Sequence, residues 1–310
     1  MKKLSCLLAT CAALPASAGT FGPFHSIYVF GDSLSDSGNL AIIAPQAVPN
    51  PPYPDGQFTN GDTWATQLGL TPSLTGGTNF AFGGARANDN GDFIPDLQAQ
   101  IGSATSTIDA FSGNALAVIW AGGNDFLDFS KITAPTDSDL SNLISGIATT
   151  IGQGVQSLAS AGVSEVAVFG LPDFAALPQF AGDPADAAGA SFVSGLLNGA
   201  LVGTTSALDG ALADTDVSFF DLDAVLQSVL PDLPEATQQA SCFDGIAICT
   251  NPEDFLFFDN IHPVEGVHTI LAGEFSDQVL QPVPLPAGAT LLLTGLVGFG
   301  VWGRRRKSLS

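Results

Sequence analysis

Short apolar runs alternate with longer segments of helical character along this chain, and that alternation limits the folds open to it. The runs span 26–30, 79–82, 115–120, 165–169, 217–220 and a last one at 255–258. Residues 94–111, 137–161, 187–213 and 264–280 read as helices. In the last of these, Val267, Ile270, Leu271, Phe275 and Val279 recur at helical spacing. Strands alternating with helices imply a parallel sheet covered on both faces. No internal repeat interrupts the pattern, and the only linker is at 281–286. Residues 45–54 carry five prolines and read as a surface loop.

Ligands of open α/β sheets bind at the carboxyl ends of the strands. Four of the expected ends carry polar motifs: Gly31-Asp32-Ser33, Gly83-Gly84, Gly122-Gly123-Asn124-Asp125 and Asp259-Asn260-Ile261-His262. The fold reading brings them to one rim, and their residue types divide the labour of acyl transfer. A serine hydroxyl is a weak nucleophile until a base takes its proton. His262 can be that base, and Asp259 can orient the imidazole and stabilise its protonated form. The oxyanion of a tetrahedral intermediate needs donors aimed at it. The Ser33 amide, a glycine amide after the second run and the Asn124 side chain can supply three.

These motifs resemble those of the GDSL, or SGNH, serine hydrolases. As they stand they are FGDSLSDSGN (30–39), NFAFGGA (79–85), GGND (122–125) and DNIHP (259–263). FTNGDTW (58–64) and GLPD (170–173) resemble connecting segments of the lipase-like branch. The match runs in the family's order across nearly the whole domain. It implies a three-layer α/β/α, flavodoxin-like fold with a central parallel sheet, and hydrolysis of esters or thioesters with no cofactor and no metal. It implies Ser33 as nucleophile, Asp259 and His262 as the rest of the triad, and Ser33, Gly84 and Asn124 as the oxyanion donors, with Gly83 the alternative to Gly84. The substrate class expected is lipid-like or short-to-medium acyl esters. Removal of acetyl groups from extracellular polysaccharide is the alternative within enzymes, and a non-catalytic surface or matrix protein the alternative outside them.

Neighbouring residues have plainer readings. Asp32 reads as a turn residue. Asp36 and Asn39 read as local braces of the loop after Ser33, and Asp125 as support for Asn124. His25 reads as a surface residue and His268 as local packing. The run Asn88-Asp89-Asn90-Gly91-Asp92 lacks the spacing and distal glutamate of a calcium loop and reads as a polar turn. Phe126, Phe129 and the phenylalanines of 255–258 read as core before they read as an acyl pocket.

The two ends of the chain are distinct from the domain, which spans 19–282. Residues 1–18 have the basic start, apolar stretch and small-residue cleavage site of a secretory signal peptide. Residues 283–310 begin with VPLPA, continue as an apolar helix at 287–302 and end in a basic tail. The apolar run is a little short of the ~20 residues that span a bilayer. This segment resembles the VPLPA variety of PEP-CTERM sorting signals of Gram-negative bacteria. The resemblance implies a membrane-tethered precursor and an exosortase-type processing enzyme as partner; a permanent C-terminal anchor is the alternative, and either places the domain in the periplasm, at the cell surface or outside the cell. Cys242 and Cys249, an even pair in an exported domain, read as a local disulfide.

Between the two ends only Arg86 and Lys131 are basic, against all thirty carboxylates of the chain. Such a surface repels nucleic acid and anionic head groups and suits a salty medium that screens self-repulsion. The domain is therefore expected to lose structure in low salt and regain it in molar salt. Unfolding curves indifferent to salt would contradict this.

Overall fold

Apolar runs with both faces covered leave no room for polar alternation, and the central strand of this protein obeys that rule. The computed structural model describes residues 21–107, 111 and 114–281. The expected leader at 1–18 and sorting segment at 283–310 lie outside the described residues. Four strands, β1 (Ser26–Gly31), β2 (Ala115–Trp120), β3 (Glu165–Phe169) and β4 (Asp216–Phe220), form one parallel sheet in the order β1-β2-β3-β4. Every residue of β2 is buried. Gly31 pairs with Trp120 and Phe169 with Phe220, so the carboxyl ends lie level along one edge.

Two expected strands are not strands of the sheet. Residues 79–82 follow the free edge of β1, with Phe80 N donating to Val29 O at 2.7 Å and Phe82 N to Gly31 O at 3.1 Å. The Asn79 side chain diverts the regular ladder: its amide donates to Ser35 O at 2.6 Å and its oxygen accepts from Ala81 N at 3.0 Å. Counted as an edge element, this segment gives the flavodoxin-like order, with the second element outside the first. Residues 255–258 lie off the sheet. Phe257 bridges to Ser241 and Pro263, and Phe258 N donates to His262 O at 2.7 Å, so a tight turn reverses the chain there.

The α-helices are α1 (Asn39–Ile43), α2 (Trp64–Gln67), α3 (Leu97–Thr107), α4 (Gly123–Phe129), α5 (Asp137–Ser160), α6 (Pro184–Asp209), α7 (Leu222–Val229) and α8 (Glu265–Phe275). α5 opens with a capping box between Thr136 and Asp139, and α6 with Asp183 as cap and Pro184 at its first position. α3, α5 and α6 pack side by side, and α2 and α7 flank α8. Helices thus cover both faces of the sheet, a three-layer α/β/α arrangement. Beneath α8 an aromatic row crosses three strands: Trp120, Phe169 and Phe220, with ring centroids 5.4 and 4.5 Å apart. Phe275 of α8 and Trp64 of α2 close over Phe169 at 5.4 and 5.1 Å.

Cys242 and Cys249 are joined in a disulfide. Residues 88–92 form the expected polar turn: Asp89 accepts from Gly91 N, Asn90 from Asp92 N, and Asp92 from Ile94 N.

Phe275 is fully buried. Phe275→Ala is expected to cost about 3–5 kcal/mol, read as a lowered denaturation midpoint at unchanged slope.

Candidate active site

Ser33 is held by a turn made almost wholly of its own neighbours. After β1 the amides of Ser35 and Asp36 donate to Asp32 O at 3.1 and 3.0 Å, and Leu34 N donates to the Asp32 carboxylate at 3.0 Å. Burial pushes the Asp32 carboxyl up to about 7, against the pull of that amide. Asp36 then ties the turn to its surroundings. One of its oxygens accepts from Gly38 N and Asn39 N at 2.8 and 2.7 Å. The other accepts from Leu40 N at 3.1 Å and, across the chain, from Gly83 N at 2.8 Å. Asn39 also reaches beyond its loop, donating to Asn79 O and Ala81 O. The local bracing expected of these two residues is therefore extended to the edge segment 79–83.

His262 arrives from the other end of the domain. Its Nε2 lies 2.8 Å from Ser33 Oγ and its Nδ1 2.7 Å from Asp259 Oδ2. Asp259 Oδ1 accepts from the amides of Ile261 and His262, both at 2.8 Å. With Asp259 ionised, Nδ1 carries the proton and Nε2 is left to accept from the serine hydroxyl. The loop is pinned on both sides: Cys242 N donates to Phe257 O at 3.1 Å, and the Thr59 hydroxyl to Pro263 O at 2.9 Å. The Phe58 ring lies against the imidazole at 5.1 Å.

Burial alone would raise the Asp259 carboxyl. The charge and hydrogen bond of His262, with the two loop amides, outweigh it and hold the group well below the usual carboxylate range. Burial alone would lower His262. The charge and hydrogen bond of Asp259, and the charge of Asp32, outweigh it and raise the imidazole. His268, buried on α8, has no partner for either ring nitrogen among the described residues, and burial lowers it to about 3.

The residues expected to face an oxyanion lie at two neighbouring turns. The Gly83 amide is committed to Asp36. Gly84 has φ +81°, a conformation glycine adopts freely, and among the described residues its amide and that of Ser33 donate to no acceptor. Asn124 sits in the first turn of α4, where its side-chain nitrogen donates to Ala85 O at 2.8 Å and retains a second hydrogen. Asp125 beside it accepts from Ala87 N, Asn88 N and the Asn88 side chain, fastening the segment after Gly84 to α4. Ser33, Gly84, Asn124, Asp259 and His262 thus gather at one rim.

An apolar pocket opens beside Ser33 and Asn124, walled by Leu127, Leu171, Phe174, Leu222, Leu226 and Phe257. Phe257 alone represents the aromatics considered for it. Phe126 stacks behind Phe174 at 3.9 Å, and Phe258 packs inward on Tyr53. The remaining walls come from α4, from the turn after β3 and from α7, whose leucines have no motif to announce them. Sequence reasoning also missed Tyr53. Its hydroxyl donates to Asp259 Oδ2 at 2.8 Å, and the one signal for it was the proline loop that carries it.

A parallel α/β/α sheet that presents a serine hydroxyl, an imidazole and a carboxylate in one hydrogen-bonded line beside an apolar pocket defines a carboxylic ester hydrolase. The model of the GDSL-like lipase/acylhydrolase family matches residues 27–275, and the chain belongs to that family. It is 30% identical over 243 residues to the phosphatidylcholine-sterol acyltransferase of Aeromonas hydrophila, covering 75% of this chain and 69% of that one. It is 31% identical over 169 residues to the secreted effector protein SseJ of Salmonella typhimurium, covering 51% of this chain but only 38% of the effector. Among solved structures, the carbohydrate acetylesterase Est24 of Sinorhizobium meliloti aligns over 82% of this chain and 97% of its own, with 17% identity and a TM-score of 0.46.

A protonated His262 cannot accept the serine proton, and its raised affinity moves that loss upward. Esterase kcat/KM is expected to fall on acidification with a midpoint above the ordinary histidine value of about 6.5. A rate profile flat from pH 5 to 8 would contradict it.

Proposed function

We propose that this protein is an exported serine esterase that acts on lipid-like or short-to-medium acyl esters through an acyl-enzyme. Ser33 Oγ attacks the ester carbonyl carbon as its proton passes to His262 Nε2. Asp259 holds the imidazole in place and balances its positive charge. The carbonyl oxygen becomes an oxyanion facing the amides of Ser33 and Gly84 and the side chain of Asn124. Collapse of the intermediate breaks the bond to the alcohol, which leaves with the proton from His262. Water then repeats the sequence: His262 takes its proton, the oxygen attacks the acyl carbon, and Ser33 departs as the acid is released.

The observation that carries this reading is the unbroken line from Ser33 Oγ through His262 to Asp259, with no step longer than 2.8 Å. The substrate class is supported by the pocket beside Ser33, whose leucine and phenylalanine walls offer an acyl chain burial and a sugar little hydrogen bonding. Export, anchoring at the C-terminus and exosortase-type processing rest on the leader at 1–18 and the VPLPA segment at 283–310.

The test is a panel of p-nitrophenyl esters of increasing acyl length beside an acetylated polysaccharide, run on the 19–282 domain and its Ser33→Ala variant. The parent is expected to prefer butanoyl to octanoyl esters over acetyl, and Ser33→Ala to lose at least about 10³-fold in kcat. Equal rates for the two proteins would overturn the mechanism. Preference for the polysaccharide would overturn the substrate class.

A further inference from the structure

Asp259 accepts four hydrogen bonds, and only three of them come from its own loop. Ile261 N and His262 N fill Oδ1, and His262 Nδ1 takes Oδ2. The fourth comes from Tyr53, 206 positions earlier, whose hydroxyl donates to the same Oδ2 at 2.8 Å. A carboxylate has about four acceptor positions, so Tyr53 completes the set.

The ring of Tyr53 is fixed on two sides. It lies 5.5 Å from Phe58, which itself covers His262, and edge-on to Phe258 at 5.8 Å. Tyr53 N donates to Pro49 O, closing the proline loop on itself. Every other ring in this cluster is phenylalanine or the imidazole, so packing alone needs no hydroxyl here. A half-buried hydroxyl costs stability unless it is bonded, and the bond this one makes is to Asp259. Burial, followed by the charge and hydrogen bond of Asp259, pushes the phenol above its ordinary range, so it remains a donor wherever the enzyme works.

We propose that Tyr53 is a positioning residue of the acid–base pair: by sharing Asp259 Oδ2 with His262 Nδ1, its hydroxyl fixes the carboxylate and sets how tightly that carboxylate holds the imidazolium. The proposal rests on the reading of Ser33, His262 and Asp259 as the triad. A second donor on Oδ2 disperses the carboxylate charge and loosens its grip on the proton of His262. Removing it concentrates the charge, and His262 then keeps its proton to higher pH. The other titratable groups His262 senses are Asp32, beside Ser33, and His268, on α8. Neither touches Tyr53 by hydrogen bond, so the effect of the hydroxyl is separable from theirs.

The chain has two tyrosines, and the other, Tyr28, lies on β1 edge-on to Phe111. Three proteins make the test: Tyr53→Phe, Tyr28→Phe, and Tyr28→Phe carrying fluorotyrosine at 53, whose more acidic phenol donates more strongly. Tyr53→Phe is expected to lower kcat by ~3- to 10-fold with KM within about twofold of the parent. Its acid limb should move up by about half a pH unit, and the fluorotyrosine protein's should move down. The Nδ1 proton resonance of His262 should shift in opposite directions in the two proteins, a readout independent of turnover. Tyr28→Phe should keep the parent profile. If Tyr53→Phe fails to fold, the fluorotyrosine protein, which keeps the whole side chain, carries the test. Acid limbs and resonances equal to the parent's, or shifted in the same direction in both proteins, would overturn the role of Tyr53. Full activity in Ser33→Ala would instead overturn the triad reading on which it rests.

Discussion

Parallel pairing is the constraint from which the site follows. Strands that all run one way end at one edge, and a chain that must return over the sheet between them leaves its turns there. β1 and β2 are neighbours in the sheet, but the edge segment 79–82 lies on the far side of β1. The connections therefore diverge above the gap between β1 and β2, the switch point at which such sheets bind ligands. Ser33 stands on one side of that gap and Asn124 on the other. His262 and Asp259 come from elsewhere, on a loop that the sheet does not hold.

The domain has few cations to spend on buried acids. Arg86 and Lys131 converge on Asp128, and Arg86 also reaches Asp92, all near the surface. The carboxylates at the site are met by amide hydrogens instead. Asp36 takes four and Asp125 two, with an asparagine side chain added. Such bonds carry no mobile side chain with them, so each carboxylate becomes a rivet between backbone segments. Burial still pushes Asp36 up to about 6, with the amides pulling the other way.

Much of this was legible in the chain because the relevant signals are local. A short apolar run followed by a glycine-bearing polar turn marks a strand end, and Ser33, Gly84 and Asn124 each sit just past such a run. Asp259 and His262, three positions apart, announce their partnership by spacing. The runs at 79–82 and 255–258 misled because apolar content does not say where hydrogen bonds go. Asn79 divides its side chain between Ala81 N and the serine turn at Ser35 O, and Phe258 closes a turn with His262. Tyr53 and the leucines of α7 were illegible for a different reason. A contact across 206 positions has no period, and a leucine that faces a pocket looks like one that faces the core.

Ser33 and His262, joined by one hydrogen bond, are 229 positions apart. Synthesis from the N-terminus lays down Ser33, Gly84 and Asn124 long before the loop that carries His262 exists. A chain stopped anywhere in that interval has the serine turn but not the imidazole that its hydroxyl meets. That hydrogen bond therefore reports on the whole domain, because it forms only when the last loop has been threaded back to the first turn.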